Sequence, residues 1–367
     1  MFDRLRFREN FNWWYFILIL LIAALGVVVI YSANHSRPEE FFRNLYIKQI
    51  YWVIYGLAAM FAAVLIDYRF FSRYAYHIYF LTTLALVYVL FFGVTASGAR
   101  RWILIGSMSV QVSEFAKIAL ILALAKYFES GRGRERYRLR DLIVPAILTG
   151  IIGYLIARQP DLGTAMIVLF IFFVFIVAVE IHPRTLMGLV TSAIILAPIL
   201  WLYLKDYQKT RIKTLFNPEL DPLGAGYHAI QSKIAIGSGG FWGKGLLAGT
   251  QSRLNFLPEK HTDFIFSVFA EEMGFFGVAA LLALYLILIL KALNIAFRSA
   301  DRFGLLVGLG ITSGISFYII FNIGMTIGLF PITGIPLPLL SYGGSSLITN
   351  FFALGLLLNI EMRRNIR

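Results

Sequence analysis

Apolar residues run along this chain in long unbroken blocks, and polar residues gather in the short stretches between them. Ten blocks stand out, at residues 13–31, 45–66, 74–92, 111–128, 142–158, 162–180, 184–204, 263–291, 303–329 and 343–361. Crossing roughly 30 Å of hydrocarbon takes about 20 apolar residues as a helix, and lipid offers the backbone no hydrogen-bond partner of its own. Short alternating segments of the barrel type are absent. The pattern therefore predicts an all-α polytopic membrane protein of about ten transmembrane helices, with both termini on the same side. The first block exceeds a signal-peptide core and lacks a small-residue cleavage site, so it is expected to stay as an anchor. One stretch breaks the rhythm: residues 205–262, between spans 7 and 8, should form a large extramembrane loop. No 20–50-residue repeat is visible, and one integral domain over 1–367 is expected.

Composition sharpens this picture. With 59% hydrophobic and 14% charged residues, the chain is too apolar for a soluble globular protein. The net charge of +13 would point to nucleic acid in a soluble protein, but the basic residues sit in short loops beside apolar spans. They are an orientation signal, and no nucleic-acid partner is expected. The loop at 126–140 carries Lys126, Arg132, Arg134, Arg136, Arg138 and Arg140, which places it in the cytoplasm. Arg4, Arg6, Arg8, Arg69, Arg73, Arg363, Arg364 and Arg367 then fall on the same side. Residues 205–262 fall outside with eight basic residues of their own, at a length where the charge rule loses force. Cysteine is absent, which removes disulfides and thiol chemistry.

Candidate chemistry collects at the outer side. Arg101 beside Trp102 suits either a phosphate or a lipid headgroup, since guanidinium forks match phosphate oxygens and indole rings settle at headgroup depth. Ser113 is positioned as an N-cap, and Glu114 and Lys117, three apart, project from one helix face. Ionisable groups inside a span are costly, so these two should pair or face a polar cavity. In the turn at 158–164, Asp161 can cap the next helix. Residues 227–236 predict a short helix at the membrane surface. The glycines from Gly237 to Gly245 let the backbone bend but lack the Gly-Lys-Ser/Thr ending of a phosphate loop. Asp263 stands at the start of span 8, where a helix N-terminal acid is also favourable to the macrodipole. Glu271 and Glu272 must face protein or water. Three prolines and close glycines at 330–346 forbid a regular helix, and broken backbone there requires a protein-enclosed cavity.

These stretches resemble a known family over nearly the whole chain. Residues 158–164 (RQPDLGT), 221–240, 257–274 (LPEKHTDFIFSVFAEEMG) and 334–345 (GIPLPLLSYGGS) are similar to the SEDS proteins of shape, elongation, division and sporulation, on their elongation branch. The resemblance implies a peptidoglycan glycosyltransferase of the bacterial cytoplasmic membrane, polymerising lipid II at the outer face beside a class B penicillin-binding protein. It puts the family's loop aspartate on Asp263 and its paired acid and base on Glu114 and Lys117. An inverting transfer needs a base for the acceptor hydroxyl and positive charge for the leaving diphosphate. Asp263 is the candidate base. Arg101, Lys117, Lys233 and Arg253, or a divalent cation (Mg or Mn), are candidates for the diphosphate, and His261, Thr262, Ser341 and Ser345 complete the expected substrate site. A lipid II flippase and a non-catalytic scaffold for wall enzymes remain as other readings. A flippase needs polar groups through the whole membrane depth, and a scaffold needs no acid.

Overall fold

The computed structural model describes residues 10–364 except 38, 97–98, 107, 131–135, 223, 255 and 258. Arg4, Arg6, Arg8, Arg132, Arg134 and Arg367 of the orientation argument lie outside the described residues. A helix stands on each predicted block: α1 (Trp13–Asn34), α2 (Leu45–Leu65), α3 (Tyr68–Phe92), α4 (Val112–Glu129), α5 (Ile143–Arg158), α6 (Leu162–Ala178), α7 (Pro183–Tyr203), α10 (Ile265–Phe297), α11 (Arg302–Thr326) and α12 (Gly344–Met362). Seven apolar helices among the described residues are long enough to cross a membrane, and α6 is a shorter apolar helix. α4 falls short of that measure because it carries Glu114, Lys117, Lys126 and Glu129. The count of ten spans thus stays an expectation.

α4, α11 and α12 form the centre, and most of their side chains are buried. Small residues let the helices close in. A Cβ on Gly355 would lie 2.6 Å from the Met60 carbonyl oxygen of α2, and one on Gly310 would lie 2.7 Å from Ile121 of α4. α7 buries none of its described side chains. At the far end of the bundle the Asn359 amide donates to the carbonyls of Ala63, Val64 and Ile66, and Asp67 pairs with Arg363. That stitches the start of α3 to the end of α12.

The outer end departs from a pure helix bundle. Residues between α3 and α4 form a three-stranded antiparallel sheet, β1 (Val94–Ala96), β2 (Ala99–Ile105) and β3 (Met108–Gln111), which the all-helix expectation missed. β3 runs into α4, so the helix begins at Val112 after Gln111. Ser113 is therefore inside the helix and not its N-cap. The long 205–262 stretch is largely structured: α8 (Asp206–Phe216), unpredicted, precedes α9 (Ala225–Ser238), which covers the predicted 227–236 helix. Asp221 accepts the Ala225 amide at 2.8 Å and caps α9.

The glycine-rich run after α9 is clipped to a kink in α10. Gly274 takes φ +63°, and around it the Lys244 and Gly245 amides donate to the carbonyls of Glu271 and Glu272, while Phe275 donates to Gly240. A Cβ on Gly274 would lie 2.2 Å from the Gly243 nitrogen. Below the clip, both acids are buried, as their place in an apolar helix requires. One Glu271 oxygen accepts from Lys244 Nζ at 2.7 Å, the Thr250 amide at 2.8 Å and the Gln251 amide at 3.1 Å. Glu272 accepts from Ser32 of α1. Because Gly274 needs both a positive φ and the absence of a side chain, Gly274→Ala should destabilise the protein by about 1–3 kcal/mol. Thermal unfolding in detergent checks this, with Gly188→Ala, at a site with open space around it, as the neutral comparison.

Candidate active site

Two non-helical segments meet at the outer end of the bundle. The first, ending at Asp263, precedes α10, and the second, 327–343, joins α11 to α12. Their backbone groups are satisfied by buried side chains, which is what holds irregular chain among helices. Asn322 of α11 donates to the Asp263 carbonyl at 3.0 Å and to the Ile335 carbonyl at 2.6 Å. The Ser341 hydroxyl accepts from the Leu337 amide and donates to the Thr262 carbonyl, both within 2.8 Å. The Tyr342 amide donates to His261, and Tyr285 of α10 donates to the Pro338 carbonyl. Gly334, at φ +76°, brings its backbone beside the Asp263 carboxylate, 3.2 Å from where a Cβ would stand.

Between these segments, the strands and α4 lies a cavity of about 170 Å³. Arg101, Glu114, Asp161, Thr262, Asp263 and Ser345 line it, together with Tyr318 of α11. Burial, with the nearby Glu259 carboxylate adding to it, lifts the Asp263 carboxyl from the ordinary range to about 7, against the pull of Arg211 and Arg101. Among the described residues, no hydrogen bond reaches its oxygens, which leaves them open to the cavity.

Glu114 and Lys117 pair as their spacing predicts, at 2.9 Å and almost fully buried. The Tyr318 hydroxyl donates to the same Glu114 oxygen at 2.9 Å and also contacts Lys117 Nζ, and Thr349 of α12 donates to the other oxygen at 3.3 Å. Lys117 does not line the main cavity. It lines an adjoining cleft of about 40 Å³, walled by isoleucines of α4, α6 and α11, and Glu114 and Tyr318 belong to both spaces.

The other expected site residues divide. Thr262 and Ser345 line the cavity, although the Ser345 hydroxyl accepts the Gln111 amide at 2.9 Å, and Ser341 is used up in backbone stitching. His261 is buried against Phe42 and Tyr342, and burial pushes its imidazole down to about 4, so it is neutral near pH 7 and supplies no charge to an anion. Lys233 lies in a separate crevice with Arg211 under α8 and α9, and Arg253 is exposed beside Ser36. Arg101 lines the cavity, but it donates to the carbonyls of Gln159 at 2.9 Å and Pro160 at 2.5 Å. It props the turn whose Asp161 caps α6 through the Thr164 amide, as expected for that acid. Sequence reasoning missed Tyr318, Asn322 and Thr349. Each is one of several uncharged polar residues in its helix, so nothing local singles it out.

With Asp263 the one uncommitted carboxylate among the described lining residues, the cavity does not fit a resident metal. Asp161 is committed to Thr164 and to the Gln111 amide, and Glu114 to Lys117, Tyr318 and Thr349. Among the described residues, no three His, Asp or Glu side chains converge as ligands.

Comparison with known proteins points one way. The family profile described as "Cell cycle protein", covering FtsW, RodA and SpoVE, matches residues 12–366. The peptidoglycan glycosyltransferase MrdB of Escherichia coli is 41% identical over 95% of this chain and 93% of its own length. The peptidoglycan glycosyltransferase RodA of Treponema pallidum is 35% identical over 98% and 100%. Among solved structures, a chain described under the structural coordination of polymerization and crosslinking by a peptidoglycan synthase complex superposes with a TM-score of 0.83 at 37% identity, covering 97% of this chain and 99% of that one. The rod shape determining protein RodA of Thermus thermophilus superposes at 0.72 with 31% identity, over 97% and 98%.

The Asp263 carboxyl carries a sign that can be measured. A carboxyl whose folded value is raised favours the folded state while protonated, and that stability is lost as pH rises through about 7. Asp263→Asn should therefore melt above the wild type at pH 8. The difference should shrink towards pH 4, as followed by thermal unfolding in detergent across that range.

Proposed function

The chain belongs to the FtsW, RodA and SpoVE family of cell cycle proteins and is a peptidoglycan glycosyltransferase of the elongation type, and from that premise we propose that it polymerises lipid II with Asp263 as general base. The observation that carries this reading is the Asp263 carboxylate, which stands at a cavity wall with no hydrogen-bond partner among the described residues and which burial pushes up to about 7. A base works best with its pKa near the operating pH. The acceptor sugar hydroxyl loses its proton to Asp263 while its oxygen attacks the anomeric carbon of the donor. The bond from that carbon to the phosphate oxygen breaks, and its electron pair leaves with the polyprenyl diphosphate. Arg101 contributes positive field to the cavity without giving up its hold on the 159–160 carbonyls.

The apolar blocks keep the chain in a membrane, which we read as the bacterial cytoplasmic membrane with the cavity facing outward and both termini inside. A class B penicillin-binding protein would supply the crosslinking that follows polymerisation. Any Mg or Mn ion would arrive with the diphosphate, whose oxygens would supply most of its ligands.

Purified protein with such a partner, given labelled lipid II, should make glycan strands, and Asp263→Asn should lower the rate at least about a hundredfold. Asn keeps the size of the side chain and removes proton acceptance. A scaffold makes no strands in either form, and a flippase moves lipid across vesicles without polymer. Substantial polymer from a folded Asp263→Asn protein would refute the base assignment.

Orientation has its own test in this cysteine-free chain. In intact cells, an impermeant maleimide should label Glu219→Cys in the loop before α9 and spare Ser130→Cys at the end of α4. The reverse pattern would put the cavity on the wrong face.

A further inference from the structure

The ion pair of α4 stands where two spaces of opposite character meet. Above it is the polar cavity that holds Asp263, and beside it is the isoleucine-walled cleft; Glu114 and Tyr318 line both. A polyprenyl diphosphate has the same division, with a sugar headgroup on one side of its phosphates and hydrocarbon on the other. With the sugar beside Asp263 and the tail against the isoleucines, the diphosphate lies at the junction.

Among the described residues, Lys117 and the Tyr318 hydroxyl donate there to the same Glu114 oxygen, and Thr349 donates to the other. The Lys117 ammonium also stands 4.2 Å from the centre of the Tyr318 ring. Resting on the reading of this chain as a lipid II polymerase, we infer that Tyr318 is a catalytic residue whose hydroxyl turns from Glu114 to the departing diphosphate. As the glycosyl carbon–oxygen bond breaks, the electron pair settles on a phosphate oxygen. Tyr318 donates a hydrogen bond to that oxygen without transferring its proton, and the acceptor's proton goes to Asp263. Glu114 keeps Lys117 and Thr349 as partners, so the carboxylate is not left bare when Tyr318 turns away. Because the extra charge exists only as the bond breaks, the donor acts on the transition state more than on the bound substrate.

Tyr318→Phe removes one oxygen and leaves the ring over Lys117. Lipid II polymerisation by this variant should lose about 10²–10³-fold in kcat, the range for removing one preorganised donor, with KM within about twofold. The acid limb of its pH profile near 7, which belongs to Asp263, should not move. A kcat within twofold of wild type, or a loss confined to KM, overturns the inference. Tyr318→Gln restores an N–H donor on a shorter side chain that can reach the diphosphate through one bridging water, and it should recover at least about tenfold over the Phe variant. Equal rates for a folded Gln variant and the Phe variant would also overturn it. Should Tyr318→Phe not fold, a folded Gln variant with kcat more than about 10³-fold below wild type counts against the donor role. Polymer made by wild type in the same assay separates failure here from failure of the polymerase reading, in which wild type itself makes none.

Discussion

Backbone polarity is the constraint on which this architecture depends. A chain surrounded by hydrocarbon can leave the helix only where other groups take over its amides and carbonyls. Between α11 and α12 that duty falls to a few side chains: Asn322 serves two carbonyls, Ser341 bridges two segments, and Tyr285 reaches Pro338. Gln49 of α2 adds a bond to the Ser341 carbonyl at 3.2 Å. These bonds hold the two irregular segments against each other, and the cavity is the space left between them. Asp263 is thus fixed through its own carbonyl while its carboxylate stays uncommitted.

The same economy separates positioning from chemistry around the cavity. Arg101 and Asp161 face it, yet their hydrogen bonds are spent on a turn and a helix end. Glu114 and Lys117 neutralise one another inside the bundle, which relieves the cost of two ions away from water. Asp263 has no such partner among the described residues, and burial raises its carboxyl against the pull of Arg211 and Arg101.

Much of this could be read from the chain. Every apolar block carries a helix, because block length and lipid leave little alternative. The turn residues at 159–161, the glycines of the loop and the prolines at 331, 336 and 338 also mark the irregular backbone correctly. The geometry of the candidate site was legible where it is local: Glu114 and Lys117 are one turn apart and pair, and Asp263 stands just before a helix start. It was illegible where partners come from far along the chain. Tyr318 lies 204 residues from Glu114, and nothing in an apolar helix announces which lone hydroxyl will turn inward. Lys233, Arg253 and His261 were chosen for charge or proximity in sequence, and the fold carries them to other surroundings. The small sheet was missed because its strands are short and lie inside a loop.

The clip between the glycine loop and the kinked helix has a kinetic side. One Glu271 oxygen gathers an ammonium and two amides, so releasing the loop would deprive a buried carboxylate of several partners at once. The loop therefore does not flicker open residue by residue like most surface chain; it opens together with the first turns of α10 or hardly at all. The amides of Thr250 and Gln251 should accordingly exchange slowly with solvent hydrogen, as those of a helix interior do. A surface segment with the persistence of core structure gives Asp263, more than two turns before the clipped part of that helix, a footing that thermal motion of the outer loops does not disturb.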